Sequence, residues 1–170
     1  VSALSLSQQN QLHYATMVDY YSITKLKRFD RVTQQLYLLC YLQERAQINI
    51  ERLADSAKQG KVLAQLNLAS MYLEGQGVSQ DDKAAAKWFT LAAKQGDGGA
   101  QFSLGCMHST GVGVSRDNVR AYMWLVLAEV NNESSAQAVR EEVAENMSSA
   151  DIAQAQNLAQ ECLVTNYQEC

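Results

Sequence analysis

This chain repeats itself with a period of thirty-six residues, and that period constrains its fold more than any other feature. The stretch AQLNLASMYLEGQGVSQDDKAAAKWFTLAAKQG, from Ala64, returns from Ala100 as AQFSLGCMHSTGVGVSRDNVRAYMWLVLA. Thirteen of the thirty positions from Ala64 to Ala93 are identical to their counterparts from Ala100 to Glu129. The phrase AKQG, at Ala57 and again at Ala93, carries the period back into a preceding half-repeat. A period in the thirties marks a helical solenoid, because one unit cannot bury its own apolar face and must stack on a neighbour.

Each repeat reads as helix, glycine loop, helix. Ala64, Leu68, Met71 and Tyr72 fall three and four apart, as do Ala100, Leu104, Met107 and His108, so each set occupies one face of a first helix. Gly75 and Gly77, matched by Gly111 and Gly113, supply the positive backbone angles that end that helix and turn the chain. In SQDD from Ser79 and SRDN from Ser115, a serine or aspartate oxygen can accept the free amide protons of the next helix. Those second helices are predicted over Asp82 to Lys94 and Asn118 to Val130. Small residues at Ala64, Ala69, Ala85 and Ala92, and at Ala100, Gly105, Ala121 and Ala128, mark close helix approach, with Trp88 and Trp124 filling the gaps beside them.

There is no proline in 170 residues, and all nine glycines lie between Gly60 and Gly113. The flanks are therefore free of strong helix breakers, and the chain is expected to be all-α. A net charge of −4 argues against a nucleic-acid partner, which needs a cationic face. The short basic run Lys25, Lys27, Arg28 and Arg31 reads as a solvated helix face. No stretch approaches the roughly 20 apolar residues of a membrane helix, so no membrane insertion is expected. A start at Val1 matches a processed form whose signal peptide is gone, or a trimmed one. Cys40 and Cys106 lie in apolar helical patterns and read as small buried thiols. Cys162 and Cys170 lie eight apart at the C-terminus; a bridge between them would staple the tail and contribute about 2.5 kcal/mol. Such a bridge implies an oxidising, periplasmic or secreted setting, whereas the alternative is two free thiols on a loose tail.

These motifs resemble the Sel-one-like repeat (SLR) family, relatives of the tetratricopeptide repeats, over the middle 70 or so residues. The resemblance implies a right-handed α-α superhelix, a solenoid of stacked antiparallel helix pairs. Three regions follow: an N-terminal helical cap over 1–50, two repeats with a preceding half-repeat over 51–135, and a C-terminal helical cap with a cysteine-containing tail over 136–170. The tail AQAVREEVAENMSSADIAQAQNLAQECL also resembles the closing unit of bacterial SLR proteins. It reads as helices over Ser134 to Asn146 and Ser149 to Leu163, with Ser148 and Asp151 spaced as a capping pair. Ahead of the repeats, a helix is expected over Ser7 to Thr24 and a degenerate helix pair over Arg28 to Lys58. The second repeat departs from the pattern at His108, which replaces the tyrosine of Tyr72, and at Glu129, which breaks the small pair formed by Ala92 and Ala93.

Catalytic residues are scarce. His13 stands alone, His108 occupies a packing position, and no cysteine and histidine spacing suits zinc. No cofactor or metal is expected. Ser22-Ile-Thr-Lys25 fits the S-x-x-K pattern of serine acyl-enzymes, and some SLR relatives have been linked to penicillin binding, but the partner motifs S-D-N and K-T-G are missing. A penicillin-interacting hydrolase built on Ser22 and Lys25 is thus the remote alternative to a non-enzymatic role. A solenoid works through its concave face, lined by first helices. The positions left over from packing there are Asn67, Ser70, Leu73 and Glu74, then Ser103, Cys106, Ser109 and Thr110, mostly small and polar. The resemblance implies an interaction module of the bacterial envelope whose partner is another protein, a toxin or an envelope component. Its sharper form is a periplasmic immunity protein against a secreted toxin; the competing form is a general adaptor for envelope assembly or signalling.

Overall fold

The computed structural model describes residues 31–167 and 170. The helix expected over Ser7 to Thr24 lies outside them, as do His13, the Ser22 and Lys25 pair, and most of the basic run. Among the described residues there are seven helices and no strand: α1 Arg31–Lys58, α2 Val62–Glu74, α3 Asp82–Ala93, α4 Gly98–Thr110, α5 Asn118–Val130, α6 Ala136–Ala144 and α7 Ser149–Val164. The fold is an all-α solenoid. The chain divides into two units, 1–46 and 47–170.

The first expectation to fall is the degenerate pair over Arg28 to Lys58, where a single helix of 28 residues runs from Arg31 to Lys58. Nothing in that stretch is glycine or proline, so no residue there turns the chain cheaply. Cys40, expected to be buried, is exposed on the same stretch of α1 as Leu36 and Leu39.

Within 47–170 the helices from α2 to α6 pack in sequence: α2 on α3, α3 on α4, α4 on α5, and α5 on α6. The last helix, α7, returns to lie against α5. The turns follow from local chemistry. Gly75 and Gly111 end α2 and α4 in the left-handed region, at φ of 70° and 81°, and their N–H groups donate to the carbonyls of Met71 and Met107. The aspartates Asp81, Asp97 and Asp117 then cap α3, α4 and α5, each carboxylate accepting the backbone N–H three residues on. Ser148 and Asp151 form a reciprocal capping box at the start of α7.

Close helix contact depends on missing side-chain bulk. Ala69, Ala85, Ala92, Ala100, Ala121 and Ala128 are wholly buried. At Gly105 an added Cβ would lie 2.6 Å from Leu125 Cγ, so the α4 and α5 backbones approach each other only because the side chain is absent. Leu104, Leu125 and Leu127 fill the space around this seam.

A buried polar ladder runs along the repeats. Gln65 Nε2 donates to the Ala57 carbonyl at 3.1 Å, and its Oε1 accepts from Gln95 Nε2 at 2.7 Å. One period on, Gln101 Nε2 donates to the Ala93 carbonyl at 3.1 Å, and its Oε1 accepts from Asn131 Nδ2 at 2.8 Å. Both glutamines are buried, Gln101 completely, and each fixes one unit against the next by satisfying a turn carbonyl. Gln101→Leu should keep the volume and lose both bonds, costing about 2 kcal/mol in chemical denaturation. A loss below about 0.5 kcal/mol would mean that the ladder is decorative.

The tail closes that ladder. Tyr167 stands one period after Asn131, and its hydroxyl bonds to the Asn131 amide at 2.9 Å. Its ring lies over Gly96, where an added Cβ would be 3.2 Å from Cε2. Cys162, buried at the end of α7, is disulfide-bonded to Cys170, so the residues carrying Tyr167 belong to a closed loop.

Candidate functional site

The first helices α4 and α6 touch only slightly, and a groove of about 290 Å³ opens between them. Cys106, Ser109 and Thr110, near the C-terminal end of α4, form one wall. Arg116 and Asn118, where the chain enters α5, close one side. The opposite wall is one face of α6, with Val139, Glu142 and Val143 at helical spacing, continued by Asn146 in the turn after the helix.

Besides its buried Ala136 and Val143, α6 is tied to α5 by the guanidinium of Arg140. Arg140 Nε donates to Glu129, its Nη1 donates to the Tyr122 hydroxyl at 3.0 Å, and its guanidinium lies 5.3 Å from the Tyr122 ring centroid. The bond to Glu129 is the main cause that raises the Arg140 pKa further above its usual value. Both Glu129 and Arg140 are mostly buried, so the pair couples the end of α5 to α6 more firmly than a surface pair would. Glu129, a departure from the repeat pattern, thus exchanges a small-residue contact for an ionic one that anchors the groove wall.

On the α4 side the hydroxyls are already engaged. Ser109 Oγ and Thr110 Oγ1 both donate to the Cys106 carbonyl, at 2.9 and 2.8 Å. Burial pushes the Cys106 thiol above its usual pKa, while its own backbone hydrogen bond opposes the shift, and the thiol is unbonded to sulfur. Expected to be buried, Cys106 is half-buried because it lines the groove.

The loop carrying Arg116 is tied back to α4 through His108. The His108 ring Nδ1 lies 3.3 Å from the Ser115 carbonyl, which can only accept, and the Asp117 N–H donates to the His108 carbonyl at 2.9 Å. Burial lowers the His108 pKa from its usual 6.5, with Arg120 acting in the same direction and the Ser115 bond and Asp117 opposing. A histidine whose folded pKa is depressed favours the fold most above about pH 6.5, and that contribution is lost as pH falls through the folded value. Relative to His108→Tyr, which restores the side chain found at Tyr72, the native protein should lose stability between pH 7.5 and pH 5. Parallel thermal melts of the two would show it; curves of identical pH dependence would contradict it.

Of the eight positions left over from packing, the structure brings Cys106, Ser109 and Thr110 into this groove. Ser103 donates its hydroxyl to the Gly99 carbonyl at 2.9 Å, and Leu73 packs against the main core. Asn67 and Glu74 are exposed, and Ser70 is half-buried, on α2 rather than at the groove. The groove residues of α6 were missed because no repeat signature reaches them. Their signal was the three- and four-residue spacing of Val139, Glu142 and Val143 within AQAVREEVA. No described helix is long and apolar enough to cross a membrane.

Known proteins place this architecture. The family model described as Sel1 repeat matches residues 62–97 and 99–128. A protective antigen present in uropathogenic Escherichia coli strains, displaying an SLR fold, is similar in structure with a TM-score of 0.68 and 29% identity, over 88% of this chain and 33% of that one. A Sel1 repeat protein from Oxalobacter formigenes is similar with a TM-score of 0.53 and 38% identity, over 54% of this chain and 26% of the other. The chain thus spans about a third or less of the length of these solved relatives. No curated protein matches it. Sel1 repeats are in general protein–protein interaction modules, and their fold is typically a non-enzymatic scaffold. Residues 62–97 and 99–128 are thus two Sel1 repeats, set in a solenoid similar to the SLR fold of these solved structures.

Proposed function

We propose that this chain is a non-enzymatic interaction module that holds a segment of one partner polypeptide in the groove between α4 and α6. The observation that carries this reading is the groove itself, where small hydroxyls, two valines and one charge of each sign meet at a place the repeat packing leaves open. Such a mixed lining suits a peptide or loop better than a small apolar ligand, which needs a deeper and drier pocket. The module works in the bacterial envelope, a setting supported by the Cys162–Cys170 disulfide. In the sharpest form of the reading, it is a periplasmic immunity protein that blocks a toxin.

A photo-crosslinking residue placed at Asn146, on the groove, and at Lys83, an exposed residue of α3, tests the site in the native organism. One discrete adduct from position 146 and none from 83 is expected. Equal labelling, or no adduct at 146, would end the groove reading, and many adducts at 146 would favour the general adaptor. Rescue of toxin-killed cells by the exported chain supports the immunity role; well-expressed chain that fails to rescue removes it.

A further inference from the structure

Resting on that groove as the partner site, the geometry points to a partner segment in which an apolar side chain stands next to a lysine or arginine. Ser109 and Thr110 have committed their hydroxyl protons to the Cys106 carbonyl, so what they offer a ligand is oxygen lone pairs. Glu142 on the facing helix adds a carboxylate, which forms no ion pair within the described residues. Three acceptors on two walls call for a donor-rich group, and an ammonium or guanidinium supplies several N–H donors from one side chain. Val139, half-buried on α6, provides the apolar seat beside it, with the buried Val143 one turn on as its floor. Arg116, also on the lining, disfavours a second cation in the same groove. The net charge of −4 draws such a segment in from a distance.

A phage-displayed library of random dodecapeptides, selected on the whole chain, tests this without knowledge of the natural partner. Enriched peptides should pair a leucine, isoleucine or phenylalanine with an adjacent lysine or arginine. Synthetic copies of the best peptide, followed by fluorescence polarisation, should bind Glu142→Lys about tenfold more weakly and Arg116→Glu more tightly. Glu142→Gln, which keeps the side-chain size, should weaken binding by a smaller factor, and all three variants should melt like the native chain. Peptides that are lost on Val139→Asp but carry no basic residue, or that bind Glu142→Lys undiminished, would overturn the proposed chemistry and leave the groove as the site. Peptides indifferent to Val139→Asp, Glu142→Lys and Arg116→Glu alike, or no enrichment at all, would overturn both.

Discussion

Gly113→Ala should destabilise the protein by about 3 kcal/mol or more, while Gly77→Ala, at the same position of the preceding repeat, should cost only about 1 kcal/mol. Both glycines sit in the left-handed region, at φ of 70° and 73°, so the backbone penalty of a side chain is shared. Their surroundings differ. A Cβ at Gly113 would run into the Asp82 carbonyl oxygen, lie 2.6 Å from its carbon, and lie 2.9 Å from Met107 Cε. At Gly77 the nearest atom is Ile50 Cδ1, at 3.0 Å, the far end of a side chain that can rotate away. Backbone cannot step aside in this way, because the carbonyl of Asp82 belongs to the capped first turn of α3. Equilibrium denaturation of the two variants at matched conditions gives the comparison. Equal losses would show that the second loop does not rest on the start of α3.

Trp124→Ala should cost about 3 to 5 kcal/mol, with Trp88→Ala losing clearly less. Trp124 is 4% exposed and lies on α5, which is packed by α4, α6 and α7. Trp88 is half-buried on α3, which lies between α2 and α4. Truncating Trp124 leaves a cavity that surrounding helices cannot collapse into without breaking the alanine seams at Ala121 and Ala128; truncating Trp88 opens a space partly filled by water. A smaller loss at position 124 than at 88 would contradict this account of which layer is the centre of the solenoid.

Much of the architecture was legible along the chain because its causes are local. The glycines that end α2 and α4 do so through a conformation other residues adopt only at a cost, and the caps of α3 and α5 need only a short carboxylate ahead of a helix. The bounds of α5 match the expected Asn118 to Val130, and α3 ends one residue before the expected Lys94. The helix pair expected before Lys58 was an inference from length and apolar content with no turn residue to support it, and a continuous α1 stands in its place. The Cys106 expectation failed for a different reason: an apolar helical pattern shows that a residue faces inward, not whether another helix arrives to cover it.

The period of thirty-six residues, with its paired glycines, aspartates and alanines, determined by itself that the chain forms stacked helix pairs, since the glycines and aspartates set the backbone close to themselves and the alanines recur where a neighbouring helix needs room. Only the tertiary structure decided that Glu129 meets Arg140, that Tyr167 completes the glutamine ladder, and that α4 and α6 stand apart to leave a groove. Those outcomes depend on where separate helices come to rest, and that is set by the summed packing of many side chains rather than by any one spacing along the chain.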